Sequence, residues 1–465
     1  MQRATMFLLL PLYTRAMAPE EYGRLAVVLT ISAGVSTLLS FGLETAVFRT
    51  FILLRKDLAD RERFVNSVGL VALLGPACLA AAGLVIFGDA LAALFGVPHV
   101  AIALAIALAA VQVSVTVLPF ALLRAQERLG KYLQLTAIQV GLTASFTVIF
   151  VVVLEWGMVG WLGASLISMT ATLGAGIVIL EHRWTLRLDR RQLLEALAYG
   201  IPLLPHAAAH WGLSLSDRLI MGASVASNEI GLYQLAYAFA IPVSTVAVAM
   251  SRGTAPIYAH AVHSESDRSQ IAGLITHHVL VTALIGTTVA VLGPAVIKLL
   301  MPPEYAGAAA FVPWLALGSV FLGLYFVPMN VIAILAGDTR YAWIATLVAA
   351  VANIGLNLWL VPRYGAIAAA VNFAVGYAAL LAGVMLFMRA TRQGIGFEWK
   401  RIAIGLAIVA AVAVCGILLT RELEAWPALV IGGSVALAAP VLLVLAGVWR
   451  RPRSGRADHS NAGSV

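Results

Sequence analysis

Charge is scarce in this sequence. Asp, Glu, Lys and Arg make up 11% of its 465 residues, where a soluble domain carries about a quarter. That scarcity excludes a water-soluble fold, because no soluble core could absorb an apolar share of 61%. Cysteine is scarcer still. Cys78 and Cys415 stand far apart in apolar runs, which excludes a disulfide framework or a cysteine-based metal cluster and predicts packing roles for both. Strict alternation of apolar and polar residues is missing from the long runs, so a β-barrel is excluded as well. Basic residues do not collect on one polar face, so the net charge of +8 does not indicate nucleic acid as a partner. No A-x-A-like site follows Leu8-Leu9-Leu10-Pro11, and the start does not read as a cleaved signal peptide.

What is present is apolar length, with a mean hydropathy of +0.95. Only helices or closed barrels satisfy the backbone in lipid, and about 20 apolar residues cross about 30 Å of hydrocarbon. The runs predict an all-α polytopic membrane protein with fourteen helices over 4–16, 22–50, 64–88, 99–123, 132–154, 158–181, 201–225, 229–258, 271–300, 307–335, 341–361, 365–388, 400–420 and 427–449. The first is too short to span and reads as clipped.

Lys and Arg then set the topology. Alternate connections and the two ends hold 24 of the 30 basic residues, including Arg55, Lys56, Arg128, Lys131, Arg190, Arg191, Arg252, Arg389 and Lys400. The other connections hold Arg15, Arg24, Lys298, Arg363 and Arg421. The positive-inside rule therefore puts both termini in the cytoplasm. An inner (cytoplasmic) membrane is the expected localisation.

An internal duplication is legible at an offset of about 208 residues. Gly23-Arg24-Leu25 matches Gly231-Leu232-Tyr233, Val35-Ser36-Thr37 matches Val243-Ser244-Thr245, Pro119 matches Pro328 and Gly157 matches Gly365. Six helices per copy make the copies parallel. The predicted organisation is an N-lobe over 1–181, an interfacial cytoplasmic linker over 182–200, a C-lobe over 201–388, helices thirteen and fourteen over 389–449, and a polar, disordered tail over 450–465. The substrate path falls between the lobes, in a central cleft.

Several motifs in this order resemble one family. They are Leu10-Pro11-Leu12-Tyr13-Thr14-Arg15 leading to Pro19-Glu20-Glu21-Tyr22-Gly23, then Tyr199-Gly200-Ile201-Pro202, Ser216-Asp217-Arg218, and Ala336-Gly337-Asp338 followed by Asn353, Asn357, Val361-Pro362 and Tyr364-Gly365-Ala366. The chain resembles the oligosaccharide flippases (Wzx-type polysaccharide biosynthesis proteins) of the multidrug/oligosaccharidyl-lipid/polysaccharide exporter superfamily. The resemblance covers almost the whole chain. It implies a transporter rather than an enzyme, with fourteen helices, two lobes that open alternately to either side, and an undecaprenyl-pyrophosphate-linked oligosaccharide as cargo. Surface polysaccharide of the O-antigen, lipopolysaccharide or exopolysaccharide kind would be the product, with membrane lipids, a polymerase and export proteins as partners.

Moving such a headgroup calls for polar side chains on inward helix faces. On the second helix Ala26, Thr30, Ala33, Thr37, Ser40 and Glu44 fall on one stripe, although tight packing of small residues would give the same pattern. On the seventh, His206, His210, Ser214 and Asp217 share a face, suited to lining a cavity, handling protons or bonding between helices. Their spacing supplies no third metal ligand. Arg218 is an intramembrane cation. Asp217 is adjacent and is expected to point elsewhere, so Arg218 must meet another anion, bind pyrophosphate or snorkel. Arg15, Arg24 and Arg49 lie at helix ends, where they suit pyrophosphate or anchoring. At the repeat offset Glu44 falls on Arg252, which predicts a gating pair across the cleft. Asn353 and Asn357 read as glue between helices, and His277 and His278 as solvated residues at a helix end.

Two other functions share parts of this evidence. A multidrug or cation antiporter of the same superfamily would place acids in the cleft. A membrane polymerase or glycosyltransferase would need a long external loop bearing catalytic groups, and the connections are short. No cofactor is indicated. A coupling ion, H⁺ or Na⁺, and consumption of cargo on the far side are each compatible with the sequence.

Overall fold

The structure, a computed structural model, describes residues 7, 9–54, 58–182, 184–185, 188–260, 265–335, 342–390 and 397–449. Arg3, the motif Ala336-Gly337-Asp338 and the tail over 450–465 lie outside the described residues. The described elements are helical: α1 (Leu10–Ala16), α2 (Pro19–Leu39), α3 (Leu43–Leu53), α4 (Leu58–Phe95), α5 (His99–Val115), α6 (Ala121–Ala125), α7 (Leu129–Thr147), α8 (Gly157–Leu180) and α9 (Arg190–Gly200). There follow α10 (Leu204–Ser224), α11 (Ser227–His260), α12 (Glu265–Leu300), α13 (Val312–Asn330), α14 (Ala342–Tyr364), α15 (Ala366–Ala390), α16 (Trp399–Thr420) and α17 (Ala425–Leu445). Among the described residues, twelve helices are long and apolar enough to cross a membrane. Large apolar side chains such as Val85, Ile86, Val178 and Leu445 stand exposed along them, as lipid for a solvent requires.

The two predicted spans outside those twelve are the first and the seventh. Helix α1 has only seven residues. Helix α10 is long enough but dilutes its apolar run with His206, His210, Asp217 and Arg218. The predicted second span, 22–50, is broken in two. Phe41 and Gly42 adopt positive φ of 46° and 65°, so α2 stops at Leu39 and α3 begins anew at Leu43. Pro119 lies inside a π-helical turn over Thr116–Phe120, where its missing N–H and its ring prevent a regular helix.

Contacts sort the chain into two compact units. One comprises Met1–Phe239, Ile297–Phe311 and Thr346–Gly376, and the other comprises Ala240–Val296, Val312–Ala345 and Tyr377–Val465. Within the first unit the repeat offset acquires a physical meaning. A Cβ on Gly23 would lie 1.8 Å from the Ser227 carbonyl oxygen, and one on Gly231 would lie 1.9 Å from that of Pro19. The two matched glycines thus let two helix starts touch backbone to backbone. Glu21 accepts a hydrogen bond at 2.7 Å from the Met158 N–H, at the start of α8. Its counterpart Glu229 accepts one at 3.3 Å from the Ala366 N–H, at the start of α15. Both helix starts follow a left-handed glycine, Gly157 at φ 52° and Gly365 at φ 68°, and each carboxylate meets a positive helix end. Asn353 and Asn357 do join helices: Asn353 donates to the Asn372 carbonyl at 2.8 Å, Asn357 to Asn353 at 3.1 Å, and Asn372 to Asn357 at 3.0 Å.

In the second unit Glu398 accepts from Arg401 at 2.5 Å and from Thr276 at 2.8 Å, while Arg401 also donates to the Val448 carbonyl at 2.7 Å. That cluster ties the starts of α12 and α16 to the end of α17. Two sequence expectations are corrected. His278 is buried and hydrogen-bonded to the Gly323 carbonyl at 3.1 Å rather than solvated, because its helix face turns toward α13. Cys78 and Cys415 are free and exposed rather than packed inside, because apolar runs in lipid need no core.

Candidate functional site

A cavity of about 330 Å³ opens in the first unit, lined by Ser36, Thr37, Ser40, Gly42, Glu44, Thr45, Gln112, Val113, Thr116, Val117, Leu203, Leu204 and Ala207. Its shape follows from the break in the second span. The Ser40 hydroxyl donates to the Thr37 carbonyl at 2.8 Å and accepts from the Gly42 N–H at 3.3 Å, closing α2 at the turn. A Cβ on Gly42 would lie 2.2 Å from the Gly200 carbonyl oxygen, and one on Gly200 would lie 2.4 Å from that of Phe41. The end of α9 therefore seats on the turn, and the chain running on from it brings Leu203, Leu204 and Ala207 to the cavity wall. The third wall is α5 with its π turn, which presents Gln112 and Thr116. Two described residues before α9 are fastened: the Thr185 N–H donates to Asn66 at 2.8 Å, and the Asp189 N–H to the Ser67 hydroxyl at 2.6 Å. Burial holds the adjacent His182 below the usual imidazole range.

At the rim, Arg124 donates to Glu44 at 2.9 Å and lies over the Phe48 ring at 5.3 Å. The carboxylate predicted to pair with Arg252 is thus held here by Arg124, and Arg252 itself is exposed. Arg124 was not among the expected site residues. Its signal was weak, because it sits in a basic connection that the topology rule already explained.

The second polar centre is buried. Arg218 is 1% exposed and Asp217 4%, so neither snorkels. Arg218 Nη1 donates to Asp217 Oδ1 at 2.7 Å and to the Ser214 carbonyl at 3.0 Å, and its Nε donates to Gln234 at 3.2 Å. The Tyr233 hydroxyl donates to the other oxygen of Asp217, and the guanidinium lies 4.1 Å from the centre of the Tyr237 ring. Adjacency was expected to separate Asp217 from Arg218. A long arginine side chain folds back along its own helix and reaches the shorter neighbour. Tyr233 and Tyr237, one turn apart on α11, are the partners that sequence reasoning missed. Both carboxylate oxygens are engaged, so removing the Asp217 side chain would leave a buried cation without its counter-charge.

Except for Ser214, whose carbonyl accepts from Arg218, the other expected residues stand apart from these two centres. His206 and His210 are exposed and Ser214 is half-buried, its hydroxyl donating to the His210 carbonyl at 2.8 Å. Arg15 is exposed, Arg24 pairs with Glu20 at 2.7 Å, and Arg49 lies over the Tyr199 ring at 4.6 Å. Of the expected residues, Thr37, Ser40 and Glu44 of the second-helix stripe line the cavity among the described residues.

Comparison with known proteins follows the same lines. Residues 12–309 match the family model described as polysaccharide biosynthesis protein. Lipid II flippase MurJ in an inward closed conformation is similar in structure, with 14% identity, a TM-score of 0.73, and coverage of 96% of this chain and 98% of that one. An inward-facing multidrug resistance MATE family transporter of the MOP superfamily gives 15% identity and a TM-score of 0.64, over 84% of this chain and 95% of that one. The Vibrio cholerae MATE transporter VcmN, in a mutant form, gives 15% and 0.52, over 84% and 94%. No curated protein matches in sequence. A match over more than half of the chain places it: this multi-pass membrane protein belongs to the polysaccharide biosynthesis protein family and has the fold shared by MurJ and the MATE transporters.

Proposed function

We propose that the protein is a flippase that carries an undecaprenyl-pyrophosphate-linked oligosaccharide from the cytoplasmic to the outer leaflet of the bacterial inner membrane, by alternating access. The observation that carries this reading is the hydroxyl-lined cavity set among apolar spans, in a chain of a polysaccharide family. A hydrated pocket lowers the cost of taking sugar hydroxyls through hydrocarbon. In this reading both termini are cytoplasmic, the lobes over 1–181 and 201–388 rock about the linker, and helices thirteen and fourteen flank them. Glu44 exchanges Arg124 for Arg252 between states.

The decisive test is deletion of the gene followed by analysis of lipid-linked oligosaccharide. Complete units should accumulate on the cytoplasmic leaflet. The carboxylate of Glu44 in the cavity favours one other reading, a cation antiporter. Unchanged polysaccharide with altered drug resistance in the deletion strain would select that reading instead.

A further inference from the structure

Four of the five hydroxyls on the cavity wall, all but that of Thr45, commit their protons to the backbone rather than to the cavity. Ser36 and Thr37 both donate to the Ala33 carbonyl, at 2.9 and 2.8 Å. Ser40 donates to the Thr37 carbonyl at 2.8 Å, and Thr116 to the Gln112 carbonyl at 2.8 Å. A hydroxyl has one proton and two lone pairs, so four hydroxyls whose protons are committed to the backbone turn lone pairs outward. Glu44, also on the wall, is an acceptor when ionised. Gln112 brings one amide, a donor as well as an acceptor, and among the described residues no Lys or Arg lines the cavity, Arg124 reaching Glu44 from the rim.

An acceptor-rich wall discriminates between the parts of the cargo. A pyrophosphate carries only acceptors and negative charge, and here it would face mostly lone pairs and a carboxylate, with the Gln112 amide too little to pair its desolvated acceptors. A sugar ring brings a donor on each hydroxyl, and an amino sugar brings a cation as well. The volume of about 330 Å³ is at the lower end of the roughly 300–1,000 Å³ of small-molecule sites, which suits a short saccharide rather than a long chain. We infer that this cavity is a saccharide subsite that selects hydroxyl and amino donors and excludes the pyrophosphate link, with Thr37, Glu44 and Thr116 as specificity-determining residues. This assignment rests on the transport reading and sharpens it. The cavity reads the sugar, and the anionic link is held elsewhere.

The test uses the full chain in lipid nanodiscs. A reporter Ala207→Cys, on the cavity wall but outside the specificity-determining set, is built with Cys78→Ser and Cys415→Ser, and its rate of labelling by a small maleimide is measured against added probes. Thr45→Cys is a second reporter should the first fail to fold, and native Cys78, kept alone, is the control on the apolar surface. Diacetylchitobiose, lactose and a glucosamine disaccharide are the saccharide probes, with inorganic pyrophosphate and tetraphenylphosphonium as competitors. At least one saccharide should slow labelling about fivefold at about four times its Kd, since protection follows 1 + [L]/Kd. Cys78 should be unaffected, and pyrophosphate should give no protection.

Protection by pyrophosphate, or by none of the saccharides, overturns the subsite while leaving the transport reading to the deletion experiment. Protection by tetraphenylphosphonium without any saccharide overturns both.

Discussion

Asp217 and Arg218 show how strongly a single residue's surroundings decide its role. A buried pair that loses one member leaves an uncompensated charge, which costs roughly 3–5 kcal/mol, whereas replacing both by apolar side chains can be neutral. Arg218→Met and Asp217→Leu should each lower the Tm of the purified protein sharply, and the double substitution should recover most of the loss. Tyr233→Phe removes one hydrogen bond to Asp217 and should cost less, about 1–2 kcal/mol. Thermal unfolding in one detergent reads all four variants. The sequence made the intramembrane charge of Arg218 conspicuous but not its partner. Side-chain reach along one helix is a rotamer property, which residue spacing does not contain. Tyr233 and Tyr237 were hidden for a similar reason: an aromatic pair one turn apart in a membrane helix looks like ordinary packing until the facing helix is known.

At the scale of the element, the apolar runs made most helices legible, including their order and most of their ends. The break at Phe41–Gly42 was not. Period alone carried the stripe from Thr37 through Ser40 to Glu44, while the left-handed turn and the contact with Gly200 come from a segment about 160 residues away. Gly42→Ala would place a Cβ against the Gly200 carbonyl in a backbone conformation that disfavours it. It should collapse the cavity wall, seen as faster labelling of nearby reporter cysteines together with a lower Tm. The repeat, by contrast, was legible in Gly23, Gly231, Gly157 and Gly365, although not its chemistry. Glu21→Ala and Glu229→Ala each strip a helix start of its carboxylate and should cost about 0.5–2 kcal/mol apiece, with Gln substitutions recovering part. A third clasp responds to pH. Burial raises the Glu398 carboxyl, but hydrogen bonds from Arg401 and Thr276 outweigh it and hold the group below its usual range. A depressed acid contributes stability above its unfolded value of about 4.3 and loses it as pH falls through the folded value. The wild-type Tm should therefore drop more steeply below about pH 4.3 than that of Glu398→Gln.

The whole molecule has a further constraint, visible in α10. That helix is long enough to span, yet it is outside the twelve that are apolar enough, and at the bilayer centre each of its two charges carries a penalty of roughly 2.5–3.5 kcal/mol on the insertion scale. Part of the relief is internal to α10, from the Arg218–Asp217 pair and the Ser214 carbonyl, and the rest comes from Tyr233, Gln234 and Tyr237, all on α11, which leaves the ribosome later. The expected outcome is that the translocon retains α10 until α11 emerges and that the two enter lipid as a hairpin. In a coupled translation and insertion assay, a chain ending soon after Ser224 should leave α10 unintegrated, and one extended through His260 should integrate it. A chain carrying both Asp217→Leu and Arg218→Met should integrate at the shorter length. The buried pair thereby makes the order of synthesis part of how this membrane protein is assembled.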